Sequence, residues 1–330
     1  MSLNISGETL DDLLRLTLKN VIQSKVGVSS TKGNNIEIFG AMLTLTNPRA
    51  RLSSTVTKGT IFSCLGELLW YLKASDSLEF IKYYIEKYKD FSNDGVALLG
   101  AYGPRIFGKN NGINQFKNII NLLQTKPETR QAVIQIFDKN DLLKESKDIP
   151  CTCNLQFFIR NKKLDMLVTM RSNDAFIGMP HDIFVFTMIQ EIIARTLQVK
   201  LGIYKHIVSS LHIYERDIEK VQQYFSEGWQ PSNSAMPPMP NEDPFPKIQH
   251  LLKIEEEIRV NKNLEIDQST LTSYWQDLVT LLKIFHLNKH YTNKEQLEFL
   301  KAEINDKVYL NYINKVIEKI DIASEKRHKT

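Results

Sequence analysis

The stretch from Cys151 to Asp182 constrains the fold more than any other part of the chain. Two segments within it, 154–160 and 164–172, have the composition and alternation of strands, and the polar turn 161–163 joins them. A proline-led helix follows. The unit therefore predicts two sheet strands, and it brings a cysteine, an arginine and a carboxylate together in one strand-strand-loop arrangement.

Apolar periodicity predicts the elements elsewhere. Helices are expected over 9–25, 59–74, 77–88, 113–125 and 180–197, strands over 36–45, 130–137 and 203–214, and a loop around 27–33. Helices and strands intermixed in this way are typical of an α/β or α+β domain built on a long sheet.

Composition changes near residue 231. The expected mixed domain covers 1–230, and 231–244 is rich in proline and small polar residues, which predicts a linker. Residues 245–322 lack glycine and carry leucine or isoleucine at helical spacing, so 245–330 is expected to be an all-helical extension.

Charge and cysteine content limit the classes of function. The net charge of +4 arises from 42 basic and 38 acidic residues, so charge alone argues for neither nucleic-acid nor membrane binding. The three cysteines do not form a disulfide framework, which predicts a reducing, cytoplasmic location. Since no segment has the roughly 18 apolar residues of a membrane helix, a soluble protein is expected.

Cys151 is a candidate nucleophile, but other interpretations exist. A cysteine next to a strand is most often a small buried hydrophobic residue. Cys151 and Cys153 could also bind zinc with His206 or His212, although their spacing fits no common zinc template. No metal site is therefore predicted.

Two further pairs are candidates for nucleotide binding. Arg171 and Ser172 end a predicted strand, where a guanidinium and a hydroxyl can hold a phosphate. His212 and Tyr214 share one face of their strand and could bind a sugar hydroxyl. Taken singly, each pair is more readily explained as ordinary surface or core residues.

Together these segments resemble the thymidylate synthase family, which includes the deoxycytidylate hydroxymethylases. The matching segments are Glu67–Trp70 (E-L-L-W), Leu99–Gly103 (L-G-P-V-Y-G, one residue shorter here), Pro127–Arg130 (P-x-S-R-R), Pro150–Phe157 (P-C-H-x-x-x-Q-F), Arg171–Asp182 (R-S-x-D-x-x-L-G-x-P-F-N) and His212–Tyr214 (H-x-Y). Order and spacing agree from residue 9 to about 225, and the helical extension lies outside the match.

The resemblance implies a thymidylate synthase-like fold, with a large mixed sheet covered by helices, and covalent chemistry on a pyrimidine nucleoside monophosphate. Cys151 would attack C6, and C5 would take a one-carbon unit from 5,10-methylenetetrahydrofolate. Glu67 and Tyr102 would move protons.

The resemblance also assigns binding residues and a homodimer with shared active sites. The nucleotide would be held by Arg171, Ser172, Asp182, His212, Tyr214, Gln156 and, from the second subunit, Arg130. The folate would contact Asp174, Ile177, Gly178, Tyr88 and Phe91.

Two departures from the family pattern predict the substrate and product. Asp182 replaces the family's asparagine, and a carboxyl suits the amine and N3 of cytosine. Tyr88 and Phe91 stand where the synthases have two tryptophans, which fits capture of the one-carbon unit by water. We therefore expect a cytidylate or deoxycytidylate 5-hydroxymethylase; the alternatives are a thymidylate synthase acting on deoxyuridylate and an inactive nucleotide-binding or assembly protein.

Three further departures weaken the expected phosphate site. Thr152 follows the nucleophile in place of histidine, Gln131 replaces the second arginine of the R-R pair, and Ser30 stands where a loop arginine is usual. Lys32 or Arg105 could compensate. The choice between ribose and deoxyribose stays open at this point.

Overall fold

The computed structural model describes residues 3–30, 32–109, 112–143, 145–231, 234–291 and 293–328, with side chains described as far as residue 322. Within these ranges, seven strands form one mixed sheet. The strands are β1 Leu3–Gly7, β2 Gly27–Ser30, β3 Gly33–Leu45, β4 Val133–Gln135, β5 Thr152–Arg160, β6 Lys163–Asp174 and β7 Lys200–Tyr214.

The order of the strands, β1-β3-β7-β6-β5-β4 with β2 paired to β3, determines which residues meet. β5 and β6 are antiparallel neighbours, as the polar turn between them predicts. β6 and β7 are parallel, and Asp174 lies opposite His212 in their register. The carboxyl ends of β6 and β7 therefore lie side by side, although many residues separate them in the sequence.

Helices cover the sheet and extend beyond it. They are α1 Leu10–Ser24, α2 Ile61–Leu72, α3 Leu78–Tyr84, α4 Tyr102–Phe107, α5 Gln115–Thr125, α6 Gly178–Thr196, α7 Ile218–Ser226, α8 Phe245–Arg259, α9 Ser273–His290, α10 Lys294–Ala302 and α11 Leu310–His328. α6 is buried along most of its length and packs on β6, β7 and α2. In the described part of the chain, no helix is both long and apolar enough to cross a membrane.

The predicted fold class is confirmed: a large mixed sheet covered by helices, followed by C-terminal helices. Several elements differ from prediction. The loop expected around 27–33 contains β2, a short and polar edge strand that pairs with β3. The helix expected over 77–88 ends at Tyr84, because Ile85 is extended, and a 3₁₀ turn follows. β1, α4 and α7 were not predicted.

The proline-rich segment packs against the mixed domain. Met236 and Met239 are buried, and their backbone N–H groups donate to Arg49 O and Glu191 Oε1, each at 2.9 Å. α8 and α9 pack on α2, and apolar residues of α11 belong to the same continuous core. The division of the chain at 231–244 stays a prediction, but the segments on either side share one hydrophobic core.

Candidate active site

Cys151 lies immediately before β5, and Arg171 holds the loop that carries it. The Arg171 guanidinium donates from Nε to Pro150 O and from Nη2 to Ile149 O, both at 2.9 Å. The Arg171 backbone N–H also donates to Cys151 O at 2.9 Å. The half-buried thiol is thereby fixed relative to the end of β6.

The surroundings of the Cys151 thiol have opposing effects on its ionisation. Burial raises the pKa of the Cys151 thiol above its ordinary value, and the nearby Asp182 carboxyl raises it further. The positive charges of Arg171 and Lys32 act in the opposite direction. Arg171 therefore favours the thiolate, which is the nucleophilic form.

Tyr102 is directly beside the nucleophile. It begins α4, and its hydroxyl accepts a hydrogen bond from the backbone N–H of Thr152 at 3.2 Å. Burial and then the negative charge of Cys151 raise the pKa of the Tyr102 hydroxyl well above its usual range. The hydroxyl therefore stays protonated and can exchange a proton with a reacting group or a water.

Glu67 is buried in the middle of α2, whose sequence is apolar on both sides of it. The Tyr88 hydroxyl donates to Glu67 Oε1. Burial raises the pKa of the Glu67 carboxyl to about 7, against the opposing effect of the Tyr88 and Tyr71 hydroxyls. A carboxyl with a pKa near neutrality can both take up and release a proton under physiological conditions.

Asp182 lies near the start of α6, and its Oδ2 accepts a hydrogen bond from Asn173 Nδ2 at 2.7 Å. Burial, followed by the negative charge of Glu67, raises the pKa of the Asp182 carboxyl well above its usual range. A neutral carboxyl offers one donor and one acceptor, whereas an ionised one offers acceptors only.

The turn between β6 and α6 contains three residues predicted to contact folate. Asp174 Oδ1 accepts from the backbone N–H groups of Phe176 and Ile177, both at 2.9 Å, which fixes the turn. At Gly178, a Cβ would lie 3.2 Å from Asn173 Nδ2 and 3.6 Å from Asp182 Oδ2. Glycine therefore allows the backbone to pass close to the Asn173–Asp182 hydrogen bond.

His212 and Tyr214 lie at the end of β7, next to this turn. Their rings are 4.9 Å apart in an edge-on arrangement, and both side chains are buried. His212 O accepts from the backbone N–H of Ala175 at 2.8 Å, which joins β7 to the turn. Arg216 covers the Tyr214 ring at 4.1 Å.

Tyr88 and Phe91 form an aromatic wall beside Glu67. The Tyr88 ring lies 5.5 Å from the Trp70 ring and 6.0 Å from the Phe91 ring. Lys32 Nζ lies 4.2 Å from the centre of the Phe91 ring. The aromatic rings therefore pack against one another beside Glu67.

Other predicted residues are not joined to this cluster by hydrogen bonds. Arg130 is exposed just before β4 and forms no hydrogen bond or ion pair with the described residues. Gln156 lies half-buried on β5 opposite Val133 and Leu167, and Ser172 lies opposite Ser210 on β7.

Arg105, which the sequence suggests as a compensating phosphate ligand, has protein partners in the structure. Its guanidinium forms two hydrogen bonds to the Asp141 carboxylate, at 2.7 and 2.6 Å, and also donates to the carbonyls of Ile136 and Leu99. Both terminal nitrogens of the guanidinium are therefore already hydrogen-bonded. The described residues also contain no group of three or more side chains of the types that bind metal ions.

The sequence analysis does not identify the residues that are hydrogen-bonded, directly or through one another, to Asp182. Asn173 binds His206, and His206 binds Tyr204, so three side chains from β6 and β7 connect to the carboxyl. His206 had been considered only as a zinc ligand. The available signal was the alternation of β7, which places Tyr204 and His206 on the same buried face.

Comparison with known proteins identifies relatives. The family described as Thymidylate synthase matches residues 12–256. A deoxyuridylate hydroxymethyltransferase of Bacillus phage SP01 is 31% identical over 220 residues, covering 62% of this chain and 57% of that protein. One from Pseudomonas phage M6 is 33% identical over 163 residues, covering 48% and 46%. A thymidylate synthase of Francisella tularensis subsp. holarctica is 28% identical over 207 residues, covering 57% and 74%.

The chain spans about half the length of the phage relatives that it matches. The match with the family covers most of the chain and includes all the elements that carry the cluster around Cys151.

Proposed function

The chain belongs to the thymidylate synthase family, and we propose that it transfers a hydroxymethyl group to C5 of a cytosine nucleoside monophosphate. The observation that carries this proposal is Asp182: a carboxyl stands at the position where the family has an amide, and its surroundings raise its pKa well above the usual range. A neutral carboxyl can donate to N3 of cytosine and accept from its 4-amino group, whereas an ionised carboxyl would oppose the N3 lone pair.

Each step of the reaction has a candidate residue. The Cys151 thiolate would add to C6 and later leave from it, which makes C5 nucleophilic in between. Tyr102, beside the nucleophile, would assist removal of the C5 proton. Glu67, with a pKa of about 7, would hold and activate water near the new exocyclic carbon.

5,10-Methylenetetrahydrofolate would supply the one-carbon unit as co-substrate. The aromatic wall of Tyr88 and Phe91, together with the turn at Asp174, Ile177 and Gly178, would contact its flat ring system. Capture of the carbon by water consumes one water and releases tetrahydrofolate. No hydride is transferred, so no dihydrofolate forms.

A nucleotide phosphate would bind near Arg171 and Ser172, and the sugar near His212 and Tyr214. In the structure the Arg171 guanidinium holds the carbonyls of Ile149 and Pro150, so we propose that it serves both the loop and the phosphate. Gln156 of β5 would complete the nucleotide contacts, as the family motif implies.

A homodimer would supply Arg130 to the neighbouring site. The exposure of Arg130 supports this, as does the sheet face of Thr169 and Ile207, which is only half-buried in a single chain.

Mixing chains that carry Arg130→Ala with chains that carry Cys151→Ala tests whether active sites are shared. Two inactive variants should regain part of the activity if sites are shared, and should regain none if each chain acts alone.

Hydroxymethylation of deoxyuridylate is a second candidate, favoured by the names of the two phage relatives. Methylation of deoxyuridylate, as in a thymidylate synthase, is the third. Incubating the protein with methylenetetrahydrofolate and deoxycytidylate, cytidylate or deoxyuridylate, and reading the product by mass, separates them. A hydroxymethyl product from a cytosine nucleotide supports the proposal and identifies the sugar; a product from deoxyuridylate alone contradicts it.

A further inference from the structure

A chain of three buried side chains ends at Asp182. The Tyr204 hydroxyl and His206 Nδ1 are 2.7 Å apart, His206 Nε2 and Asn173 Oδ1 are 3.0 Å apart, and Asn173 Nδ2 donates to Asp182 Oδ2 at 2.7 Å. Tyr204 and His206 are fully buried, and Asn173 is 5% exposed. None of the three has been given a role in nucleotide binding.

The direction of these hydrogen bonds follows from the chemistry of each group. Burial lowers the pKa of His206 to about 3, so the ring is neutral and has one donor and one acceptor. Among the described residues, the Tyr204 hydroxyl has His206 as its hydrogen-bond partner. If His206 Nδ1 carried the proton, the buried Tyr204 proton would lack a protein acceptor, which is unfavourable.

Tyr204 must therefore donate to Nδ1, and His206 must donate from Nε2 to Asn173. The amide of Asn173 is then oriented with its oxygen towards His206 and its nitrogen towards Asp182. Asp182 Oδ2 is fixed as an acceptor. When the carboxyl is protonated, its proton is consequently on Oδ1, which has no hydrogen bond to the described protein groups.

We propose that Tyr204, His206 and Asn173 fix the order of donor and acceptor on Asp182 and thereby select which pyrimidine base is accepted. This inference rests on the proposed base-reading role of Asp182. Cytosine and uracil present opposite donor and acceptor orders at N3 and the 4-position, so a carboxyl with a fixed proton matches one and opposes the other.

Removing the terminal donor should relax this selection. In Tyr204→Phe, His206 Nδ1 loses its hydrogen-bond partner. The arrangement in which His206 donates to Asn173, and the opposite arrangement in which His206 accepts from Asn173, then become similar in free energy. The Asp182 proton can then occupy either oxygen. The ratio of kcat/KM values for the preferred and the other base should fall about tenfold or more.

The test compares deoxycytidylate with deoxyuridylate, both as ligands in calorimetry and as substrates, for the wild type, Tyr204→Phe and Tyr309→Phe. Tyr309 is a matched control, because its hydroxyl is equally buried but has no hydrogen-bond partner in the described part of the chain. His206→Gln provides a second variant: its amide can still donate towards Asn173, so it should retain more of the preference than Tyr204→Phe.

The outcomes separate the inference from the proposed function. The base that the wild type prefers tests the proposed function. Loss of that preference in Tyr204→Phe tests the role of the hydrogen bonds from Tyr204 through His206 and Asn173 to Asp182. A preference for uracil that disappears in Tyr204→Phe overturns the function and supports the inference. An unchanged preference in Tyr204→Phe overturns the inference, and a wild type with no preference overturns both.

Discussion

Two pairs of carboxyls in the interior of this molecule differ in their hydrogen-bond and ion-pair partners. Where the C-terminal segments pack on the mixed domain, Glu191 pairs with Arg51, and Glu255 accepts from Arg259 Nε at 2.6 Å. In the cluster around Cys151, Glu67 and Asp182 form no ion pair with the described residues; their hydrogen bonds come from tyrosine hydroxyls and an amide.

The difference separates structural acids from acids suited to chemistry. An ion pair with a buried cation favours the ionised form of an acid and stabilises one arrangement of its neighbours. An acid buried beside neutral donors acquires a raised pKa and can exchange a proton near neutral pH. The cluster around Cys151 therefore resembles a catalytic site in its electrostatics, independently of any motif.

Glu67→Gln should have the largest effect. The amide keeps the size of the side chain and an acceptor for Tyr88, but it cannot take up a proton, so kcat should fall by about 10²- to 10⁴-fold. Product formation under saturating substrate measures this. Glu255→Gln is the matched control, since Glu255 is as deeply buried but lies at the C-terminal contact. Equal losses in both variants would contradict the distinction.

Arg51→Met tests the structural acids. The substitution leaves Glu191 buried without its main cation, so the free energy of unfolding should fall by about 3–5 kcal/mol in urea denaturation. A double variant, Arg51→Met with Glu191→Leu, removes both charges and should recover much of the loss. A single variant as stable as the wild type would show that the pair is dispensable.

The pH dependence of stability sharpens the contrast. The pKa of Glu67 is raised from 4.5 to about 7 in the fold, so between these values the folded state binds a proton that the unfolded state has lost. The Glu67 contribution is therefore favourable below pH 4.5 and is lost as pH rises to 7. The free energy of unfolding of the wild type, relative to that of Glu67→Gln, should therefore fall by roughly 3 kcal/mol from pH 4.5 to pH 7, at about 1.4 kcal/mol per pKa unit. A difference in the free energy of unfolding that does not vary with pH would indicate that Glu67 has an ordinary carboxyl pKa.

A smaller effect is expected at the contact of α11 with the loop before α2. The Tyr312 hydroxyl donates to Ser53 O at 2.9 Å in a buried environment. Tyr312→Phe should lower the free energy of unfolding by about 1 kcal/mol. Tyr309→Phe removes a hydroxyl without a described partner and should change stability by less. The reverse order would contradict the hydrogen-bond assignment.

The sequence predicts the fold class and most of the cluster, because those residues lie in short motifs. Cys151, Arg171 and Asp182 belong to one local unit, and Glu67 is recognisable from the apolar helix around it. The Tyr204–His206–Asn173 chain is different. It depends on the parallel pairing of β6 with β7, and no local pattern specifies which side chains meet across two strands.

Two other features escaped prediction for similar reasons. Arg105 looks available in the sequence, but its partner Asp141 is 36 residues away. Met236 and Met239 lie in a segment whose proline content predicts a linker, yet both are buried against the mixed domain. In each case a long-range contact decides the environment of the residue.

The most direct test of the account is a competition between deoxycytidylate and deoxyuridylate for the wild type and Asp182→Asn, with methylenetetrahydrofolate and mass detection of both products. We expect the wild type to form mainly the hydroxymethylated cytosine nucleotide, and Asp182→Asn to shift towards the uracil nucleotide. The same product ratio from both proteins would contradict the claim that Asp182 selects the base.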